Sequence, residues 1–224
     1  MLLDKLKKYK VYLCSKSPRR HELLADMGID FEYLPTNVEE KHPDTDNPVE
    51  VAEYLSQLKL SPIHMADYDP HTIFIACDTI VVLGNEILEK PKDEAEAVVM
   101  LRELSGNTHT VISGLTVATP ERSLTSHRKS EVRFSQLSEE EIAYYVRQYK
   151  PLDKAGAYGV QEWIGYIGIE AINGSFYNVM GLPTKLLWEM ISKILKAGKP
   201  HSPHRQQRTK PSIPKSCGEA ATPA

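Results

Sequence analysis

The chain has 224 residues, 41% of them hydrophobic, enough for one large or two small domains with a real core. A formal net charge of -3 and a pI near 6.3 exclude a general attraction to nucleic acid or anionic membrane, so any polyanion-binding surface must be local. Cys14, Cys77 and Cys217 are odd in number, widely spaced and without a CxxC pair, which argues against a disulfide framework or a zinc site.

The first eight residues contain no apolar stretch of the kind a secretory signal needs, and no run approaches membrane-spanning length, so a cytoplasmic setting is expected. A strand is predicted over 11–14, followed by the serine pair Ser15 and Ser17 and a helix starting at Pro18, with Ser17 at the N-cap. The first turn of a helix favours Asp or Glu, because its unpaired N–H groups make that end partly positive. Arg19 and Arg20 oppose this preference. Either an anionic ligand compensates them, or they are solvated or paired with surface carboxylates.

Glu39 and Glu40 follow a strand-like segment and have the chemistry to coordinate a hard divalent ion, although exposed acid pairs are commoner. Asn47-Pro48-Val49-Glu50 opens a helix with a capping pattern, and Lys59 falls near its end, where a cation suits the dipole without any function. Strands are predicted over 72–76, 79–83 and 86–89, with Asp78 interrupting an otherwise apolar run. A carboxylate in such a run needs a partner or a task, the bland alternative being bonds to nearby backbone N–H groups. With Gly84-Asn85 as a two-residue turn, Leu83 faces Glu86 and Thr79 faces Lys90, bringing Lys90 beside Asp78 if its stem reaches or the strand bends there.

Ala97, Met100, Leu101 and Leu104 have helical spacing, ended by Gly106. Strands follow over 110–118 and 130–134, then a helix capped by Ser138 with Glu141. Asp153-Lys154-Ala155-Gly156-Ala157-Tyr158-Gly159-Val160-Gln161 combines charge, small residues and glycine, which permits close backbone approach to a ligand. Gln161 follows as an amide with the donors and acceptor of a base reader, and a connecting loop is the plain alternative. Two more strands are expected near 166–172 and 176–180, joined by a hairpin turn at Asn173-Gly174-Ser175. This order implies an α/β fold with antiparallel hairpins rather than a pure doubly wound parallel sheet. Five prolines among basic and small residues mark 196–224 as a disordered tail following a domain over 1–195. GxxxxGK[ST] and GxGxxG are both absent, which removes support for kinase-like and dinucleotide-binding readings.

The segments Ser15-Lys16-Ser17-Pro18-Arg19-Arg20-His21-Glu22-Leu23-Leu24, Asp78-Thr79, Glu89-Lys90-Pro91, Leu104-Ser105-Gly106, Asp153 through Gly159, and Gly174-Ser175 with Gly181-Leu182-Pro183 resemble, in order, those of the Maf nucleotide pyrophosphatases. The resemblance implies a long mixed, strongly bent central sheet with flanking helices and two lobes around a cleft. It also implies a homodimer and hydrolysis of a nucleoside triphosphate between the α and β phosphates with a divalent metal, Mg or Mn. It assigns Asp78 as proton acceptor, Lys59 and Lys90 as catalytic cations, Ser15, Ser17 and Arg20 to substrate, and Glu40 with Asp78 to the metal. The family's usual Asp-Glu pair stands here as Glu39-Glu40, leaving open which of the two binds metal. Arg19, Thr79 and Gln161 match the branch acting on dTTP and UTP. Rival readings are a pyrophosphatase for purine or modified nucleotides, and a regulatory, cell-division-linked nucleotide-binding protein.

Overall fold

The computed structural model describes residues 1–41 and 43–197. Nearly all of the segment expected to be a disordered tail, with Cys217, lies outside the described residues. A short helix α1 (Leu2–Leu6) precedes strand β1 (Lys10–Leu13), helix α2 (Pro18–Asp26), strand β2 (Glu32–Tyr33) and helix α3 (Pro48–Leu58). Strands β3 (Thr72–Leu83) and β4 (Glu86–Leu88) lead to helix α4 (Glu94–Leu104), and the long pair β5 (Thr108–Thr119) and β6 (Arg122–Phe134) to helix α5 (Glu139–Tyr149). Helix α6 (Trp163–Gly168), strand β7 (Ile169–Asn173), helix α7 (Phe176–Met180) and helix α8 (Thr184–Ala197) follow.

The helix starts obey their local chemistry. Asn47 caps α3 through the Val49 N–H, Asp93 caps α4 through the Glu96 N–H, and Ser138 and Glu141 form a reciprocal capping box on α5. Gly106, at φ +71°, follows the end of α4 as expected. The α2 start is different. Ser17 stands at its N-cap without a side-chain capping bond, and no acid lies in the first turn.

The strands form a mixed seven-stranded sheet ordered β2-β1-β3-β5-β6-β7, with β4 on β3 as well. β1 runs parallel to both β2 and β3, while β3, β5, β6 and β7 pair antiparallel. Helices cover both faces. α3 buries Val51, Ala52 and Leu55 against Ile80, Val82 and Ile112. On the opposite face, α2 and α8 pack on Ile73, Ile75 and Leu115, and α4 and α5 on Val81, Val111 and Val132.

Several expectations are corrected. Residues 72–83 are one unbroken strand, so Asp78 sits at mid-strand rather than at a break. What breaks is its neighbour. β1 pairs with Thr72 to Ile75 and β4 with Val81 to Leu83 on the same edge of β3, while β5 occupies the other edge from Phe74 to Val82. The edge between them carries Asp78 and Thr79. Segment 176–180 is the helix α7, started by Ser175, whose hydroxyl accepts from the Asn178 N–H, so residues 173–175 do not close a hairpin. Residues 163–168 are helical, and only 169–173 pair as a strand. The Leu83↔Glu86 register is as expected, but β4 ends at Leu88, so Lys90 never enters the ladder opposite Thr79.

Candidate functional site

A cavity of about 670 Å³ opens at the gap between β1 and β4, and both faces of β3 contribute to it. Successive strand residues point to opposite faces, so Asp78 and Thr79 line one cavity only because no strand covers that edge. Ser15, Ser17, Arg19, Arg20, Glu39, Glu40, Lys59, Lys90 and Gln161 also line it. All the candidate residues therefore meet in one place.

On the α3 face, Lys59 caps the C-terminal end of the helix and extends its ammonium to Asp78 Oδ1 at 2.8 Å and Glu40 Oε1 at 2.5 Å. Lys59 and Asp78 are both buried, so the pair is screened far less than a surface ion pair. Lys90 approaches the other oxygen of Glu40 at 3.8 Å and is mostly exposed. The cation beside Asp78 is thus Lys59, not the Lys90 that the hairpin register suggested. Burial alone would raise the Glu40 carboxyl. The Lys59 hydrogen bond and charge, with the charges of Lys90 and Arg20, outweigh that and hold it below the usual carboxylate range. Glu39 lines the same cavity but pairs with Lys41 in solvent rather than with Lys59.

The opposite wall is organised by Arg20. Its Nε donates to the Gly181 carbonyl at 2.8 Å, Nη1 to Ser15 Oγ at 3.0 Å, and Nη2 to Thr79 Oγ1 at 3.1 Å. Ser15 Oγ also accepts from the Ser17 N–H, and Thr79 Oγ1 lies 2.8 Å from Ser113 Oγ, which donates to the Asn178 carbonyl. The guanidinium so ties the α2 start to β3 and to the turn at Gly181, where φ is +110°. Arg19 pairs with Asp153 at 3.0 Å, and Lys154 bonds the other oxygen of Asp153 at 2.7 Å. Burial raises the Asp153 carboxyl, but Lys154 and Arg19 together bring it below its ordinary value. Gln161 stands nearby with Oε1 buried and without a hydrogen-bond partner among the described residues.

Two carboxylates, Asp78 and Glu40, are the donors suited to a hard cation, and among the described residues no cluster of three acidic, His or Cys side chains could enclose one. That donor set fits Mg²⁺ or Mn²⁺, which is commonly held by one or two carboxylates together with substrate phosphates and water. Sequence reasoning missed Ser113, Asn178, Tyr145 and Glu162, all of which support site residues through hydrogen bonds. Their sequence signal is weak, because each looks like an ordinary polar residue of a strand, helix or loop.

Several known proteins are similar to this chain. A protein from Bacteroides thetaiotaomicron called dTTP/UTP pyrophosphatase is 46% identical over 195 residues, covering 86% of this chain and all of that protein. Proteins of the same name from Parabacteroides distasonis and Porphyromonas gingivalis are 45% and 46% identical, covering 84% of this chain in each case and 97% and 95% of themselves. A solved structure of the Staphylococcus aureus Ham1 protein aligns at a TM-score of 0.45 with 15% identity, covering 83% of this chain and 99% of that one. The model of the Maf-like proteins matches residues 10–194, which span the cavity and nearly every element around it, and the chain belongs to the Maf family.

Proposed function

We propose that the protein hydrolyses dTTP and UTP between the α and β phosphates, giving the nucleoside monophosphate and pyrophosphate. The observation that carries this reading is a buried-edge carboxylate, Asp78, in a cavity of nucleotide size whose other charged groups include Lys59, Lys90 and Arg20. Relatives sharing about 45% identity carry the corresponding name.

A triphosphate brings about four negative charges, so its transfer chemistry depends mainly on positioning and charge stabilisation. Lys90 is exposed and reaches the cavity mouth, where it can meet the outgoing pyrophosphate. Arg20 has donor capacity beyond its three internal bonds, and the N–H groups at the start of α2 add to an anion-binding end. Ser15 and Ser17 supply hydroxyls beside it. Asp78 accepts the proton of the water that attacks the α phosphorus. Lys59, shared between Asp78 and Glu40, is released to phosphate as substrate arrives. Glu40 and Asp78 hold a divalent cation, which when bound neutralises phosphate charge and acidifies water.

Arg19, Thr79 and Gln161 set base choice in this reading. Uracil and thymine present O4 and N3–H side by side, which a carboxamide complements with one donor and one acceptor. The Oε1 of Gln161, without a partner among the described residues, suits N3–H. The Thr79 hydroxyl, already engaged by Arg20 and Ser113, contributes through that wall. A homodimer and a cytoplasmic setting complete the proposal. No described helix is long and apolar enough to cross a membrane.

The test is product analysis with the purified chain, Mg or Mn, and a panel of nucleoside triphosphates. Monophosphate and pyrophosphate from dTTP and UTP in preference to other triphosphates are expected. Orthophosphate as the product, or preference for a purine triphosphate, overturns the assignment.

A further inference from the structure

The segment that carries Gln161 is a four-residue turn. The Glu162 N–H donates to the Gly159 carbonyl at 3.0 Å, leaving Val160 and Gln161 as the central pair. Val160 is buried in the core, so one central residue anchors the turn while the other lines the cavity. A surface turn with that job would normally be mobile. This one is clamped at both ends by a single side chain from α5: the Gly159 N–H donates to the Tyr145 hydroxyl at 3.0 Å, and that hydroxyl donates to Glu162 Oε2.

The other oxygen of Glu162 pairs with Lys154 Nζ at 3.1 Å, and Lys154 continues to Asp153 and Arg19. Tyr145 is fully buried, and the Glu162 carboxylate packs so closely on Gly159 that a Cβ there would lie 2.7 Å from its carboxyl carbon. The chain of bonds thus joins the Gln161 turn to Arg19 at the start of α2. Charged, largely buried networks are costly unless fully satisfied, and their return is a fixed geometry. A base reader needs that, because displacement by about 1 Å loses most of a designed hydrogen bond.

We propose that Tyr145 and Glu162 are positioning residues for base selection, fixing the turn so that the Gln161 carboxamide meets the pyrimidine edge. The proposal rests on the reading of Gln161 given above and extends it to two residues that never touch the nucleotide. Base choice is then set by the rigidity of this turn as much as by the identity of its amide.

The experiment compares kcat/KM for UTP against CTP, and for dTTP against dCTP, in wild type, Gln161→Ala, Tyr145→Phe and Glu162→Gln, with a thermal melt of each. Tyr145→Phe deletes only the shared hydroxyl, and the selectivity ratio is expected to fall about tenfold, with the loss on the preferred substrate appearing in KM rather than kcat. Glu162→Gln, which keeps the shape but not the charge, should lower the ratio in the same direction and decides the matter if Tyr145→Phe does not fold. If Gln161→Ala collapses the ratio while folded Tyr145→Phe and Glu162→Gln keep it, with only the melting temperature lowered, the two residues are merely structural and the proposal falls. If Gln161→Ala itself leaves the ratio unmoved, the reading of Gln161 fails first and takes the positioning role with it.

Discussion

Lys59 Nζ lies 2.8 Å from Asp78 Oδ1, joining the last turn of a helix to the middle of a strand 19 residues later in the chain. The same ammonium holds Glu40, so one cation serves two carboxylates. Lys59→Met therefore removes the shared cation from Asp78 and Glu40, leaving Glu40 the more distant Lys90. It should lower stability by about 3 kcal/mol, as for other broken buried pairs, and abolish most hydrolysis. Urea unfolding at neutral pH beside a turnover assay checks both, and an unchanged unfolding midpoint would contradict the ion-pair account.

Asp78→Asn separates chemistry from folding. The amide keeps the size of the carboxylate, and Lys59 retains Glu40. Hydrolysis of dTTP should fall by roughly 10²-fold or more, with the melt little changed. Near wild-type turnover of the variant would remove Asp78 from the role of base.

Arg20 and Lys90 should behave differently from one another. Arg20 makes three hydrogen bonds across three segments, so Arg20→Ala is expected to cost about 1–3 kcal/mol of stability in addition to weakening triphosphate handling. Lys90 is exposed and, among the described residues, pairs with Glu40 at 3.8 Å, so Lys90→Ala should leave the melt unchanged and raise KM. Parallel melts and kinetics of the two variants distinguish them.

Behind Tyr158 in the cavity wall, His109 gives the fold an acid-sensitive point. Its Nε2 shares a hydrogen bond of 2.7 Å with the Tyr158 hydroxyl, its Nδ1 is buried without a partner among the described residues, and burial depresses it from 6.5 to about 4. The folded state keeps the ring neutral while the unfolded chain takes up a proton below about 6.5. Stability contributed above that pH is therefore lost as pH falls through the window toward 4, with a slope of about 1.4 kcal/mol per pH unit from this group. Denaturation midpoints at pH 7, 6 and 5 should show the decline, and His109→Gln should flatten it.

Much of the site was legible because its residues break local rules. Asp78 in an apolar run and two arginines in a helix's first turn are anomalies visible without coordinates. Lys59 obeys every local rule, and its meeting with Asp78 arises from α3 crossing the sheet, a non-local event. The hairpin register was readable up to Leu88, but Lys90 departs because the strand ends and the Glu89 carbonyl accepts from the Gly156 N–H instead. Residues 176–180 have strand-like composition, yet Ser175 caps them as a helix and Asn178 is locked by bonds to Val111 and Ser130. Tyr145 and Glu162 were invisible because their importance lies in each other.

The partner of Asp78 in the ladder is Gly114, and a side chain there would stand 2.0 Å from the carbonyl oxygen of Ala52 in α3. The backbone of the helix is seated directly on the sheet at the position beside the acid. The reach of Lys59 is consequently measured by a missing methyl group: Gly114→Ala would jack α3 away from β5, and the lysine would leave its carboxylate although neither charged residue had been touched. The spacing on which the charge pair depends is written in the one residue of that layer that has no side chain at all.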